Sequence, residues 1–170
     1  MMQEGKDRNW STAVTQIEPG TIRLRGYPVE ELMGRASYAS VLHLLVTGEL
    51  PSRAVARVLD AILVSSMDHG TTPPSTLAAR TAASTGAPLN AALAAGLLSI
   101  NEFHGGAIER CMGHLEELSA LEKENGGDSL LAARELVSRM QRAGERLAGF
   151  GHRVHQHDPR TRRLFELARS

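Results

Sequence analysis

Three short polar segments interrupt an otherwise apolar sequence, and each sets a histidine among glycines. They read "SSMDHG" over residues 65–70, "NEFHGGA" over 101–107 and "GFGHRVHQHDPR" over 149–160. The chain has seven histidines, and His152, His155 and His157 all fall in the last segment. A glycine beside an imidazole lets a substrate approach the backbone, so that amide groups serve as donors next to the ring. His104 stands just before a predicted helix. The positive end of a helix dipole disfavours imidazolium, so a histidine there tends to be neutral and to donate to developing negative charge. His152 and Arg160 flank a short turn, and an arginine fork suits a carboxylate. The chemistry within reach is acid–base and hydrogen-bonding work on an oxygen-rich small molecule.

Each histidine also has a plainer explanation. An isolated histidine at a helix end is usually a cap or a surface group, and that reading is preferred for His43, His114, His155 and His157. The repeated glycine-flanked pattern singles out His69, His104 and His152 as candidates for function. His152, His155 and His157 lack the paired helical spacing of common zinc motifs, so no metal site is expected. Asp158 reads as a helix cap, and Asp68 as a neighbour able to orient His69.

The elements that must carry these segments are helical. "TIRLRG" alternates Ile22 and Leu24 with Arg23 and Arg25, the period of a short half-exposed strand, and residues 1–20 before it read as a loose lead-in. Pro28 opens "VEELMGRA". "SYASVLHLLVTG" runs from Ser37 to Gly48, with Val41, Leu42, Leu44 and Leu45 at helical spacing. "PSRAVARVLDAILVSSM" puts Val55, Val58, Leu59, Ile62 and Leu63 on one stripe. "PPSTLAARTAAST" and "PLNAALAAGLLSI" are rich in Ala, Gly, Ser and Thr. Their small faces suit a tight helix pair or a subunit seam, or they are simply helices of high propensity. "GGAIERCMGHLEELSALEKE" ends at Asn125-Gly126-Gly127, and "DSLLAARELVSRMQRAGERL" follows with Asp128 as its N-cap. Asp158 and Pro159 start "RTRRLFELARS". Seven or eight helices and one short strand or hairpin define an all-α class.

Bulk properties exclude several functions. Nineteen basic and nineteen acidic side chains cancel, which removes the electrostatic argument for nucleic acid or an anionic membrane. Apolar residues make up 42%, enough for a core. One cysteine, Cys111, excludes an internal disulfide and a cysteine-based zinc cluster and fits a reducing cytoplasm. The longest weakly polar run, "GAPLNAALAAGLLSI", is too short to span a bilayer. The first residues lack the apolar run of a signal peptide.

Taken in order, these segments resemble the citrate synthase family. "GFGHRVHQHDPR" is similar to that family's Gly-His-Arg turn leading into Asp-Pro-Arg. "FHGGAIE" is similar to its His-Gly-Gly-Ala helix start, "MDHG" to its Asp-His turn, and "LRGYPVEELMGRASYASVLHLLVTGELPS" to its N-terminal segment. The matches cover about Ile22 to Ser170. "GELPS" reaches "SSMDHG" through one helix, and the turn continues "DHGTTPPSTLAAR". Both features resemble citryl-CoA lyases and the C-terminal part of ATP-citrate lyase more than classical synthases. The histidine often found three residues before His69 is here Ser66.

The resemblance implies a citrate-synthase-like large helical domain over 21–148, with the small-domain and active-site segment starting at 149–170 and the C-terminal part of the fold missing. It implies catalytic roles for His104 and His152. His69 and Arg160 would bind the oxaloacetate or citryl carboxylates, and Gly149, Phe150, Gly151 and Arg153 would lie against CoA. The implied reaction is cleavage of citryl-CoA to acetyl-CoA and oxaloacetate, with a CoA thioester as substrate, no permanently bound cofactor, and a cytoplasmic homodimer. A citrate or 2-methylcitrate synthase is the alternative, and a truncated non-catalytic module the second. The family's catalytic aspartate lies in a later segment and matches neither Asp68 nor Asp158, so the carboxylate is expected beyond Ser170.

Overall fold

The computed structural model describes residues 11–151 and 156–169. Among them are eight helices and a three-stranded antiparallel sheet, in keeping with the all-α expectation. The chain divides into two compact units. One joins Met1–Asp68 with His157–Ser170, and the other is His69–Gln156.

The first unit begins with a meander. Strand β1 (Thr15–Glu18) pairs with β2 (Thr21–Leu24), and β2 with β3 (Tyr27–Pro28). Residues 15–18 therefore correct the expectation of a loose lead-in. The register puts Thr15 opposite Leu24 and Glu18 opposite Thr21, across a Pro19-Gly20 turn. The strand is hard to read because its one apolar residue, Ile17, is 73% exposed and leaves no alternating burial to detect. The second turn has positive φ at both central residues, Arg25 (49°) and Gly26 (86°), the twist that a two-residue hairpin needs. A non-glycine residue in that region is strained by about 1–2 kcal/mol. Arg25 offsets this by donating from Nε (3.2 Å) and Nη2 (2.8 Å) to the Leu45 carbonyl, which ties the hairpin to the second helix.

That helix, α2 (Tyr38–Thr47), follows a single turn, α1 (Val29–Leu32), shorter than "VEELMGRA" suggests because Gly34 (φ 76°) stops it. Ser37 caps α2 by accepting from the Ser40 amide, and Gly48 closes it in the left-handed conformation. Leu32, Ala39 and Leu44 form the unit's buried core. Helix α3 (Arg53–Ser65) is capped by Ser52, and its half-buried Val58, Leu59 and Leu63 follow the predicted stripe. Val55 and Ile62 of the same stripe stay largely exposed, along an apolar groove of about 390 Å³ that Leu167 also lines. The last helix, α8 (Pro159–Arg169), packs on α3, where Arg57 Nη2 donates to the Leu167 carbonyl at 3.3 Å.

The second unit is two helical hairpins. In the first, α4 (Pro74–Ser84) and α5 (Leu89–Leu98) meet through Gly96. A Cβ there would lie 3.0 Å from the Ser75 carbonyl oxygen and 3.2 Å from Ala79 Cβ. The small residues thus form a close pair, as their composition suggests. The large ones face outward: Leu89, Leu93, Leu97 and Leu98 are more than half exposed. In the second hairpin, α6 (Ala107–Glu124) and α7 (Ser129–Ala143) are joined through Asn125-Gly126-Gly127. Asp128 caps α7 by accepting from the Leu130 and Leu131 amides. Ala132, Leu136 and Met140, four residues apart, are its buried stripe. Across the hairpin Arg139 pairs with Glu117, and Ser129 donates to Glu122.

Candidate active site

Two of the sequence-predicted histidines come together in the second unit. The rings of His69 and His104 have centroids 6.4 Å apart and are tilted by 33°. They do not stack. A small polar group can lie between imidazoles at that spacing and accept from both.

His104 is held by a loop built for it. Its amide donates to the Asn101 carbonyl (2.9 Å), and the Asn101 amide donates to its carbonyl (3.0 Å). The Gly106 amide donates to the same Asn101 carbonyl at 3.1 Å. Both glycines serve this loop. Gly105 has φ 117°, and a Cβ on it would stand 2.8 Å from Ile100 Cγ2. A Cβ on Gly106 would stand 2.6 Å from the Glu102 carbonyl oxygen. The "HGG" pattern is therefore needed to close the loop, before any demand from a ligand. His104 Nε2 lies 2.9 Å from Ser75 Oγ, in a half-buried contact between this loop and the first turn of α4. An open cleft of about 650 Å³ borders the loop, lined by Asn101, Glu102, Gly105, Gly106 and Arg110.

His69 is exposed and precedes Gly70, whose φ of 78° turns the chain towards α4. The Gly70 carbonyl accepts from Thr76 Oγ1 at 3.2 Å. Beyond two hydroxyls directly after two prolines, nothing in the sequence marks Ser75 and Thr76 as site residues, since "PPSTLAAR" reads as an ordinary helix start. Pro73 at the N-cap supplies no side-chain cap.

The third segment is only partly visible. His152, Arg153 and His155 lie outside the described residues. Before them, Gly149 (φ 81°) packs against α6 so closely that a Cβ would stand 2.8 Å from Cys111 Sγ and 2.9 Å from its Cβ. Phe150 is 65% exposed, and Gly151 has φ 117°. After them, Asp158 Oδ1 accepts from the Arg160 amide at 2.9 Å, which makes it the expected cap of α8. Arg160, in the first unit, turns its side chain back onto the same carboxylate, Nε to Oδ1 at 3.0 Å and Nη2 to Oδ2 at 2.6 Å. The bond to Asp158, together with its charge, raises the Arg160 pKa above the ordinary arginine value. Arg160 is a fixed cation, already engaged along one edge of its fork.

The remaining histidines follow the plainer reading where the structure describes their contacts. His43 Nδ1 lies 2.9 Å from the Glu49 carbonyl oxygen and 3.1 Å from Thr47 Oγ1, closing the end of α2. Among the described residues no three His, Cys, Asp or Glu side chains cluster to hold a metal ion. Among them too, no helix is long and apolar enough to cross a membrane.

Comparison with known proteins identifies the family to which this fold belongs. The family model for the citrate synthase C-terminal domain matches residues 8–55 and 51–170. The chain belongs to the citrate synthase family. It is similar to the citryl-CoA lyase of Hydrogenobacter thermophilus, with 37% identity and a TM-score of 0.81, over 95% of this chain and 60% of that one. The ATP citrate lyase of Methanothrix soehngenii, solved with citrate and coenzyme A, shares the fold at 23% identity and a TM-score of 0.83, over 98% of this chain and 26% of that one. The citrate/2-methylcitrate synthase of Bacillus subtilis is 35% identical over 127 residues, 73% of this chain and 32% of its own length. The chain spans about a quarter to a third of the curated relatives it matches.

Proposed function

We propose that this chain is the histidine-bearing part of an enzyme that cleaves citryl-CoA to acetyl-CoA and oxaloacetate. The observation that carries the reading is the pair of imidazoles at 6.4 Å, one of them seated on a serine hydroxyl. In cleavage a base takes the citryl hydroxyl proton. The alkoxide electrons form the ketone of oxaloacetate, the carbon–carbon bond breaks, and its electron pair passes into the acetyl-CoA enolate, which is then protonated on carbon. The enolate oxygen needs a neutral donor. If Ser75 donates to His104 Nε2, the ring proton stands on Nδ1, free to serve that oxygen. His152 is the donor to the new ketone oxygen. His69 is a carboxylate ligand, and Arg160 is assigned the same role by its place in the Asp-Pro-Arg motif. Gly149, Phe150, Gly151 and Arg153 lie against CoA, which enters as a thioester substrate beside no resident cofactor.

Likeness to a citryl-CoA lyase over 95% of the chain supports cleavage as the physiological direction. The second reading, an acyl-CoA condensing synthase, is favoured by the curated relatives, which are synthases. Incubating the complete protein with citryl-CoA, and separately with oxaloacetate plus acetyl-CoA, decides between them. A lyase releases oxaloacetate from citryl-CoA, whereas a synthase turns citryl-CoA chiefly into citrate and free CoA. The four outward leucines of α5 are the face of a homodimer. A chain with one cysteine, Cys111, fits the reducing cytoplasm as its place of work.

A further inference from the structure

The first turn of α4 holds both histidine segments at once. Ser75 reaches His104 Nε2 at 2.9 Å, and the next residue, Thr76, reaches the Gly70 carbonyl at 3.2 Å. Prolines at Pro73 and Pro74 start the helix without a side-chain cap, so these hydroxyls are the first side chains of α4 able to hydrogen-bond, and both turn to neighbouring loops. From behind, Gly96 brings α5 to within a Cβ's reach of the Ser75 carbonyl, which fixes where this turn sits. His69 is exposed, and its neighbour Gly70 has a left-handed φ with nothing within 4 Å of where a Cβ would be. A glycine hinge in open space does not hold an exposed ring, and the bond from Thr76 is the one that fixes the Gly70 carbonyl beside it.

We infer that Thr76 is a positioning residue for His69: its hydroxyl pins the Gly70 carbonyl and so sets the distance between the His69 and His104 rings. The inference rests on the reading of His69 as a carboxylate ligand. Ser75 and Thr76 then divide the work, one orienting the ring that serves the thioester oxygen and the other placing the ring that binds the dicarboxylate.

The test compares Thr76→Val, which keeps shape and loses the hydroxyl, with Thr76→Ser, which restores it, in the complete protein. Thr76→Val should raise KM for oxaloacetate by about three- to tenfold, with KM for acetyl-CoA and kcat within about twofold, and Thr76→Ser should return to the parent value. An unchanged oxaloacetate KM, or a serine variant that behaves like the valine one, overturns the inference. Histidine ring resonances give a readout independent of turnover. The His69 signals should move in Thr76→Val and return in Thr76→Ser, and His69 signals that stay put in Thr76→Val overturn the inference. If the complete protein acts on neither citryl-CoA nor oxaloacetate plus acetyl-CoA, the proposed function fails, and these resonances still decide the role of Thr76. Should the valine variant not fold, Thr76→Ala takes its place with the same expectations.

Discussion

Ser75→Ala is the substitution that interrogates the site most directly, because Ser75 is expected to act only through His104. The bond it removes is 2.9 Å long and half-buried, and the ring nitrogen loses its partner on α4. A neutral hydrogen bond of this kind is worth about 0.5–1.5 kcal/mol net, which corresponds to roughly two- to tenfold in rate if it is expressed in the transition state. His104→Ala removes the donor itself, and loss of one such donor typically costs about 100- to 1,000-fold in kcat. The two effects must not add. In the double variant Ser75 has no ring to orient, so its kcat should equal that of His104→Ala within about twofold. The assay is steady-state release of oxaloacetate from citryl-CoA by the complete protein, with kcat and KM resolved for each variant. His114→Ala, on α6, is the control and should leave both unchanged. Additive losses in the double variant would refute the coupling. A Ser75→Ala enzyme with normal kcat and raised KM would show that His104 binds the ground state and does not serve the enolate.

Four further outcomes follow from the geometry. Gly96→Val places a branched side chain 3.0 Å from the Ser75 carbonyl and should destabilise the α4–α5 pair by about 1–3 kcal/mol in urea unfolding. Gly149→Ala meets Cys111 at 2.8 Å with φ at 81°; displacement of that turn should raise KM for the CoA thioester and spare KM for oxaloacetate. Arg160→Lys keeps the charge and loses the planar fork, so calorimetry should show dicarboxylate binding weakened more than CoA binding. Leu93→Glu with Leu97→Glu puts charge on the outward face of α5, and sedimentation of this variant should show monomer against the homodimer proposed for the parent.

Much of the fold was legible because local signals agreed with each other. Ser37 and Asp128 mark the starts of α2 and α7, and Gly48 marks the end of α2, each through a bond that needs only nearby residues. β1 was missed because a strand whose only apolar side chain points into solvent has no burial period to show. The site follows the same division. The histidines announced themselves by type and by the glycines around them, although Gly105 and Gly106 answer first to the geometry of their own loop. Ser75 and Thr76 did not, since a hydroxyl at a helix start is commonplace and its partner lies 29 residues away for Ser75. Non-local bonds of that kind leave no trace in spacing. The close approach at Gly96 links the two cases. A glycine inside a helix costs about 1 kcal/mol against alanine, and its use here brings α5 against the one turn from which both histidine segments are held. On the positioning role proposed for Thr76, the small-residue composition of α4 and α5, read in sequence as a packing feature, is also a condition for the spacing of His69 and His104.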